Sequence, residues 1–189
     1  MSMRLLQGAA VRMATSSGDP VRRLLIGATW TKIDVDVDMS ALLLRPEGTS
    51  FTVADANSFL FRSRRTTPER SAFLTYLPVG QVAGPDRAQI ILDFGAMPAN
   101  VSRIVIAMSA LQTGETLAGM GTLRTRAMDV ATGETMYVYQ HQSAQTLAGQ
   151  CVQLWTLWRE AGCWEGRVNA AVYPGGAPAL VRDFGVRPR

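Results

Sequence analysis

Acid and apolar residues alternate through Ile33-Asp34-Val35-Asp36-Val37-Asp38-Met39-Ser40, and the chain then runs apolar through Ala41, Leu42, Leu43 and Leu44. Alternation is the period of a β-strand, so Asp34, Asp36 and Asp38 line one face while Val35, Val37 and Met39 point into a core. Carboxylates two residues apart on a strand stand about 7 Å from each other. At an effective dielectric of about 20, each such pair repels by about 2 kcal/mol. Bulk water, a bound cation or arginines from elsewhere in the chain must offset that repulsion, and the functional question is which of the three does so.

The three acids also occupy positions 1, 3 and 5 of an EF-hand calcium loop, but the match ends there. Position 6 is Met39 where the loop needs glycine, and position 12 is Arg45 where it needs glutamate.

With 189 residues the chain suits one domain, spanning 1–189 with a core from about residue 5 to residue 186. No run approaches the roughly 20 apolar residues of a membrane span, so no membrane insertion is expected. The opening Met1-Ser2-Met3-Arg4-Leu5-Leu6 meets Gln7, Gly8 and Arg12 instead of a signal-peptide apolar run, which points to a cytoplasmic protein. The net charge of +4 does not by itself indicate nucleic acid. Lys32 stands alone beside eighteen arginines, a skew that codon bias explains, and the one arginine cluster is Arg62, Arg64 and Arg65.

Catalytic signatures are scarce. Cys151 and Cys163 lack the spacing of a metal-binding pair and read as plain buried thiols. His141, the sole histidine, has no neighbour for a zinc site or a nucleophile–base dyad and is expected at a surface or turn. Gly8, Gly18 and Gly27 do not make a phosphate loop, and Asp183-Phe184-Gly185 matches a kinase tripeptide by spelling only. Trp155, Trp158 and Trp164 read as core and hairpin packing. The expectation is a protein that is not an enzyme.

Taken in order, residues 5–13 read as a first strand and 15–20 as a loop of turn formers. Residues 21–30 read as a second strand leading into the acidic one, and 50–54 and 58–61 as short strands. Residues 62–87 carry three prolines and two glycines and read as a long surface loop with one strand at 72–77. Residues 88–94 and 101–108 are β-rich, the second nearly all apolar and suited to burial on both faces. Residues 121–130 and 135–140 form a hairpin by their turn chemistry. Residues 146–158 fit helical spacing as well as a strand, but the break at Glu160-Ala161-Gly162 favours a hairpin. One short helix at 178–184 is stopped by Gly185. The sum is an all-β, two-layer antiparallel sandwich with at most short helices.

Several of these pieces resemble the TerD family of bacterial tellurium-resistance and stress-response proteins, from about Leu5 to Val186. Leu5-Leu6-Gln7-Gly8 resembles the family's opening Leu-x-Lys-Gly, and Gly27-Ala28-Thr29-Trp30 its Gly-Leu-Gly-Trp. Asp36-Val37-Asp38-Met39-Ser40-Ala41 resembles Asp-Leu-Asp-Ala-Ser-Ala, the most specific match. Ile91-Leu92-Asp93-Phe94 with Met97-Pro98, the stretch Leu157-Trp158-Arg159-Glu160-Ala161-Gly162-Cys163-Trp164 and the ending Arg182-Asp183-Phe184-Gly185-Val186 follow in the family's order.

The resemblance implies a β-sandwich that binds calcium through clustered acids. Here the family's second acidic loop falls at Pro85-Asp86-Arg87-Ala88 and retains one acid. Asp36, Asp38 and Asp86 are the candidate ligands, with Asp34 and Asp55 as helpers. Calcium wants six to eight oxygens, several of them carboxylate, so this shell is thin. Arg62, Arg64, Arg65 and Arg87 are placed to dock on the acids instead, in the planar fork by which guanidinium pairs carboxylate. Three functions follow. The first is a non-catalytic binding or scaffolding module of a stress-response system, with a degenerate calcium site, no required cofactor, and other proteins as partners. The second is a calcium-responsive domain with a retained site. The third is a metal-assisted enzyme using the acidic cluster.

Overall fold

A computed structural model describes residues 2–32, 36–77, 86–112, 114–141 and 148–186. Asp34 therefore lies outside the described residues, as do 78–85 of the expected loop and 142–147. The strands are β1 Met3–Arg4, β2 Ala10–Arg12, β3 Arg23–Trp30, β4 Val37–Glu47, β5 Ser50–Val53, β6 Phe59–Leu60 and β7 Ala72–Tyr76. They continue with β8 Ala88–Asp93, β9 Arg103–Ala110, β10 Leu123–Asp129, β11 Thr135–Gln140, β12 Cys151–Glu160, β13 Cys163–Val168 and β14 Val172–Tyr173. A 3-10 turn, Leu117–Met120, precedes β10, and the helix α1, Gly176–Asp183, follows β14.

Two sheets form the layers. One runs β1-β11-β10-β3-β8-β7 and the other β2-β13-β12-β9-β4-β5, with β6 beside β4 and β14 beside β12. Every pairing between strands is antiparallel except β1 with β11. This is the expected all-β sandwich. The expected first strand over 5–13 is in fact two short strands. Gly8, at φ +80°, turns the chain between them, so that β1 joins one sheet and β2 the other.

Period-two alternation builds the core. On β4, Val37, Met39, Ala41 and Leu43 face the space between the sheets, where they meet Leu24, Ile26, Ile90, Leu92, Ile104 and Ile106. Leu42 and Leu44 face the other way and form a second cluster with Val105, Ala107 and Cys151. The helix α1 covers that cluster with Leu180 and Val181, and burying each contributes about 1.5–3 kcal/mol. This covering explains why β4 and β9 read as apolar on both faces. Gly185, at φ +74°, ends the helix by accepting a left-handed turn, with its N–H bonded to Arg182 O and that of Val186 to Val181 O.

The stretch 146–158 mimicked a helix for a reason visible in β12. A bulge between Gln153 and Trp155 turns both Leu154 and Trp155 into the core, which breaks strict alternation. Trp155 then donates from Nε1 to Thr125 Oγ1 at 3.1 Å, joining the two sheets. Trp164 also packs in the core, stacked on Phe94 at 4.7 Å between ring centres, whereas Trp158 faces outward. Trp158 lies on the opposite face of β12 from Leu157 and so packs within the hairpin instead of the core, with Nε1 donating to Glu160 at 3.1 Å and Arg167 of β13 5.6 Å from its ring centre.

Candidate functional site

The acidic strand is answered by a turn. After β6 the chain reverses, with Phe61 and Arg64 exchanging backbone hydrogen bonds at 2.9 Å, and this places Arg62 at the apex beside the start of β4. Arg62 donates from Nη2 to Asp36 Oδ1 at 2.8 Å and from Nη1 to Asp36 Oδ2 at 3.3 Å, the planar fork expected of this pair. Its Nη2 also reaches Val37 O at 2.9 Å, and its backbone N–H reaches Asp38 Oδ2 at 3.1 Å. The hydrogen bond to Asp36 raises the arginine's pKa further above its ordinary value. Side chains in this pair are 41% and 53% exposed, so the pair itself contributes only about 0–1 kcal/mol.

Asp38 is different, because it is buried although it lies on the outward face of β4. β6 pairs β4 only at Ala41 and Leu42, leaving the edge of β4 open toward its start. Tyr76, reaching across from β7, fills the gap. Its hydroxyl accepts the Met39 N–H at 3.0 Å and donates to Asp38 Oδ1. Burial, followed by the bond to Asp38, pushes the Tyr76 phenol far above the ordinary tyrosine range, so it stays a donor. Both Asp38 carboxylate oxygens are thereby hydrogen-bonded within the protein.

Asp86 stands elsewhere. Ile26 and Ala28 face the core, so Gly27 between them faces outward, and the Asp86 carboxyl occupies the space that a Cβ on Gly27 would fill. Arg126 on β10 grips that carboxyl from Nε at 2.9 and 3.0 Å and from Nη2 at 2.7 Å, and Gln89 Nε2 donates at 2.9 Å. Here the side chains are 2% exposed for Asp86 and 18% for Arg126. This is a buried ion pair, unlike that of Arg62.

The expected ligand set is therefore split. Asp36 and Asp38 belong to the outward side of one sheet and Asp86 to the outward side of the other. Among the described residues no three of His, Cys, Asp and Glu gather in a group that could hold a metal ion. Asp55 is exposed and accepts the Asn57 N–H at 2.6 Å within its own turn. Asp36, Asp38 and Asp86 do not assemble the oxygen shell that calcium requires, and the carboxylate oxygens present already face hydrogen-bond donors.

Of the four arginines expected on the acids, only Arg62 pairs with one among the described residues. Arg64 bonds Ala56 O, Arg65 donates from Nε to Arg62 O at 3.0 Å, and Arg87 donates to Trp30 O at 3.1 Å while lying 4.7 Å from the centre of the Trp30 indole. These three satisfy backbone carbonyls and aromatic faces. Arg126, which holds Asp86, was missed. In sequence it is one of the outward residues of an alternating strand, forty residues from its partner.

His141 is not at the surface as expected but 3% exposed, edge-on to the Tyr139 ring at 4.8 Å. Among the described residues neither ring nitrogen has a hydrogen-bond partner, and burial lowers its pKa to about 4. Cys151 is buried and its thiol is pushed up to about 12, while Cys163 is half-buried and accepts from Arg12 Nη2 at 2.8 Å.

Comparison with known proteins agrees with this architecture. The family model described as the TerD domain matches residues 1–184. A solved structure of a protein of unknown function, SAV2460, superposes with a TM-score of 0.67 over 90% of this chain and 100% of its own, at 16% identity. The structure of SCO6318 from Streptomyces coelicolor A3(2), described as a homologue of telluride resistance protein (TerD), superposes with a TM-score of 0.63 over 89% of this chain and 99% of its own, at 12% identity. At such identities the likeness shows the fold. A search of the curated proteins finds no match.

Proposed function

This chain belongs to the TerD domain family, and on that premise we propose that it is a non-catalytic binding or scaffolding module of a tellurium-resistance-type stress-response system in which protein donors have replaced calcium. The observation that carries the reading is the fork of Arg62 on Asp36, made by the same turn whose backbone N–H bonds Asp38. A cation binding at Asp36 and Asp38 would have to displace Arg62 and compete with the Tyr76 hydroxyl. Asp86 is in turn taken up by Arg126.

The non-catalytic part of the reading is supported by how the reactive groups are used. Asp38 and Asp86 are committed to structural bonds, and His141 is enclosed against Tyr139. The Cys151 thiol is held in its protonated form at neutral pH by burial. Partners on this reading are other proteins, since Arg62, Arg64, Arg65 and Arg87 are engaged within the fold instead of forming a free basic stripe. Two free thiols accord with a cytoplasmic setting.

Calcium titration tests the replacement. The melting temperature should be the same in millimolar calcium and in chelator, because a ligand that does not bind the folded state cannot raise it. Asp36→Asn with Asp38→Asn should destabilise the protein in both buffers, chiefly through the buried Asp38. Saturable calcium binding at about micromolar affinity, the range of sensor sites, would refute the reading and restore a calcium-responsive domain.

A further inference from the structure

The eight-stranded sheet has a second feature on its outward side, away from the acidic strand. Beyond the part covered by α1 lies a cavity of about 270 Å³ lined by Arg103, Thr156, Trp158, Arg167 and Asn169. Strand register brings these side chains together. Trp158 on β12 stands opposite Arg103 on β9, and Thr156 stands opposite Arg167 on β13. The two arginines thus flank Thr156 from the strands on either side of β12.

Apart from the Asn169 amide oxygen, the polar side-chain groups lining this cavity can act as donors. Arg103 lies 3.7 Å from the centre of the Phe51 ring, with Nε buried and without a hydrogen-bond partner. Arg167 lies 5.6 Å from the centre of the Trp158 ring. Aromatic faces hold both cations in place and leave their N–H edges unused. Among the described residues neither is in an ion pair. Thr156 Oγ1 accepts from Gln153 Nε2 at 2.6 Å and from Asn169 Nδ2. With both lone pairs engaged, its O–H can only donate outward. Glu160 accepts from the Trp158 indole at 3.1 Å and Glu165 stands opposite Trp158 on β13, but neither carboxylate lines the cavity.

We propose that this cavity binds a phosphate group, as the free ion or as a small phosphomonoester. Two guanidinium-bearing side chains and one hydroxyl line the cavity from three neighbouring strands, a donor set that suits the three terminal oxygens of a tetrahedral dianion. A planar carboxylate offers two oxygens for these three donor groups and would leave one of them unanswered. Arginine is suited to this task because its fork of N–H donors is fixed in geometry and always charged. Burial lowers the pKa of Arg103, the direction expected of a cation without a counter-charge. This inference stands apart from the acidic strand and does not depend on the calcium reading.

Isothermal titration at constant ionic strength tests it, using inorganic phosphate and O-phosphoserine, with acetate as the planar control. Saturable binding of inorganic phosphate or of phosphoserine is expected, and whichever binds more tightly identifies the source of the group. Acetate should give no saturation. Arg167 is exposed, so Arg167→Gln should fold normally and weaken binding by about tenfold or more, the effect of losing a charge-assisted contact. The remote Arg22→Gln should bind like the parent. In ¹⁵N spectra, the indole signal of Trp158 should move with phosphate while that of the buried Trp155 stays. Failure of both phosphate probes to saturate, equal binding of acetate, or an Arg167→Gln variant that binds like the parent would each overturn the proposal.

Discussion

Replacing Arg126 by methionine isolates the contribution of the buried ion pair. At 2.7 Å and an effective dielectric of about 20, the attraction between Arg126 and Asp86 is about 6 kcal/mol. Most of that is offset by the cost of taking both charges out of water, so the pair adds little relative to a well-packed apolar pair. Removal of one partner is another matter. Asp86, 2% exposed at its side chain, would keep only the Gln89 amide among the described residues, and an uncompensated buried charge costs about 3–5 kcal/mol. For a domain of this size that lowers the melting temperature by roughly 6–20 °C. Urea denaturation, with the slope unchanged and the midpoint lowered, is the assay. The double variant Arg126→Met with Asp86→Asn should recover much of the loss, giving a coupling energy of about 2 kcal/mol or more. A single variant that costs less than about 1 kcal/mol would mean that water reaches Asp86, and it would refute arginine as the counter-charge.

Gly27→Ala should expel the Asp86 carboxyl from its seat, and its cost should not add to that of Arg126→Met, because both break one contact; additive losses would show the two to be independent. Trp164→Ala should cost about 3–5 kcal/mol, read by denaturation, since the indole is buried and stacked on Phe94. His141 should make the fold sensitive to acid. Its folded-state pKa of about 4 lies below the ordinary 6.5, so the unfolded chain binds the proton first, and stability falls by roughly 3 kcal/mol as pH drops from about 6.5 to about 4. His141→Phe should flatten that part of the stability–pH curve; an unchanged slope would assign the acid sensitivity to other groups.

Much of this molecule is written in its alternation. Val37 and Met39 pointed inward as the spacing of the acidic strand requires, and the apolar run of β9 was buried on both faces. The hairpin of β10 and β11 followed from its turn residues. What the spacing did not carry was the fate of the outward residues. Asp38 faces away from the core and yet is buried, because β6 is too short to cover the strand and Tyr76 completes the edge. Arg126 looks like any exposed strand arginine until the fold brings Asp86 over Gly27. Pairings between distant residues leave no local signature. The glycine of the Gly27-Ala28-Thr29-Trp30 stretch did leave one, whose physical meaning is the room it makes for that carboxyl.

The division of the N-terminal segment at Gly8 bears on how the protein is made. Met3 pairs with Tyr137 and Arg12 with Glu165, so β1 and β2 find their partners far along the sequence, in β11 and β13. During synthesis at about 5–20 residues per second, β1 and β2 emerge from the ribosome many seconds before β11 and β13 exist to receive them. The nascent chain must therefore carry two unpaired strands while its interior assembles, and pairings this far apart in sequence close slowly. Once formed, they bind both layers to one short segment. A protease cutting near Gly8 would release β1 alone, exposing β11 as an open edge able to recruit a strand from another chain, while β2, still joined to β3 by the chain, would keep β13 covered.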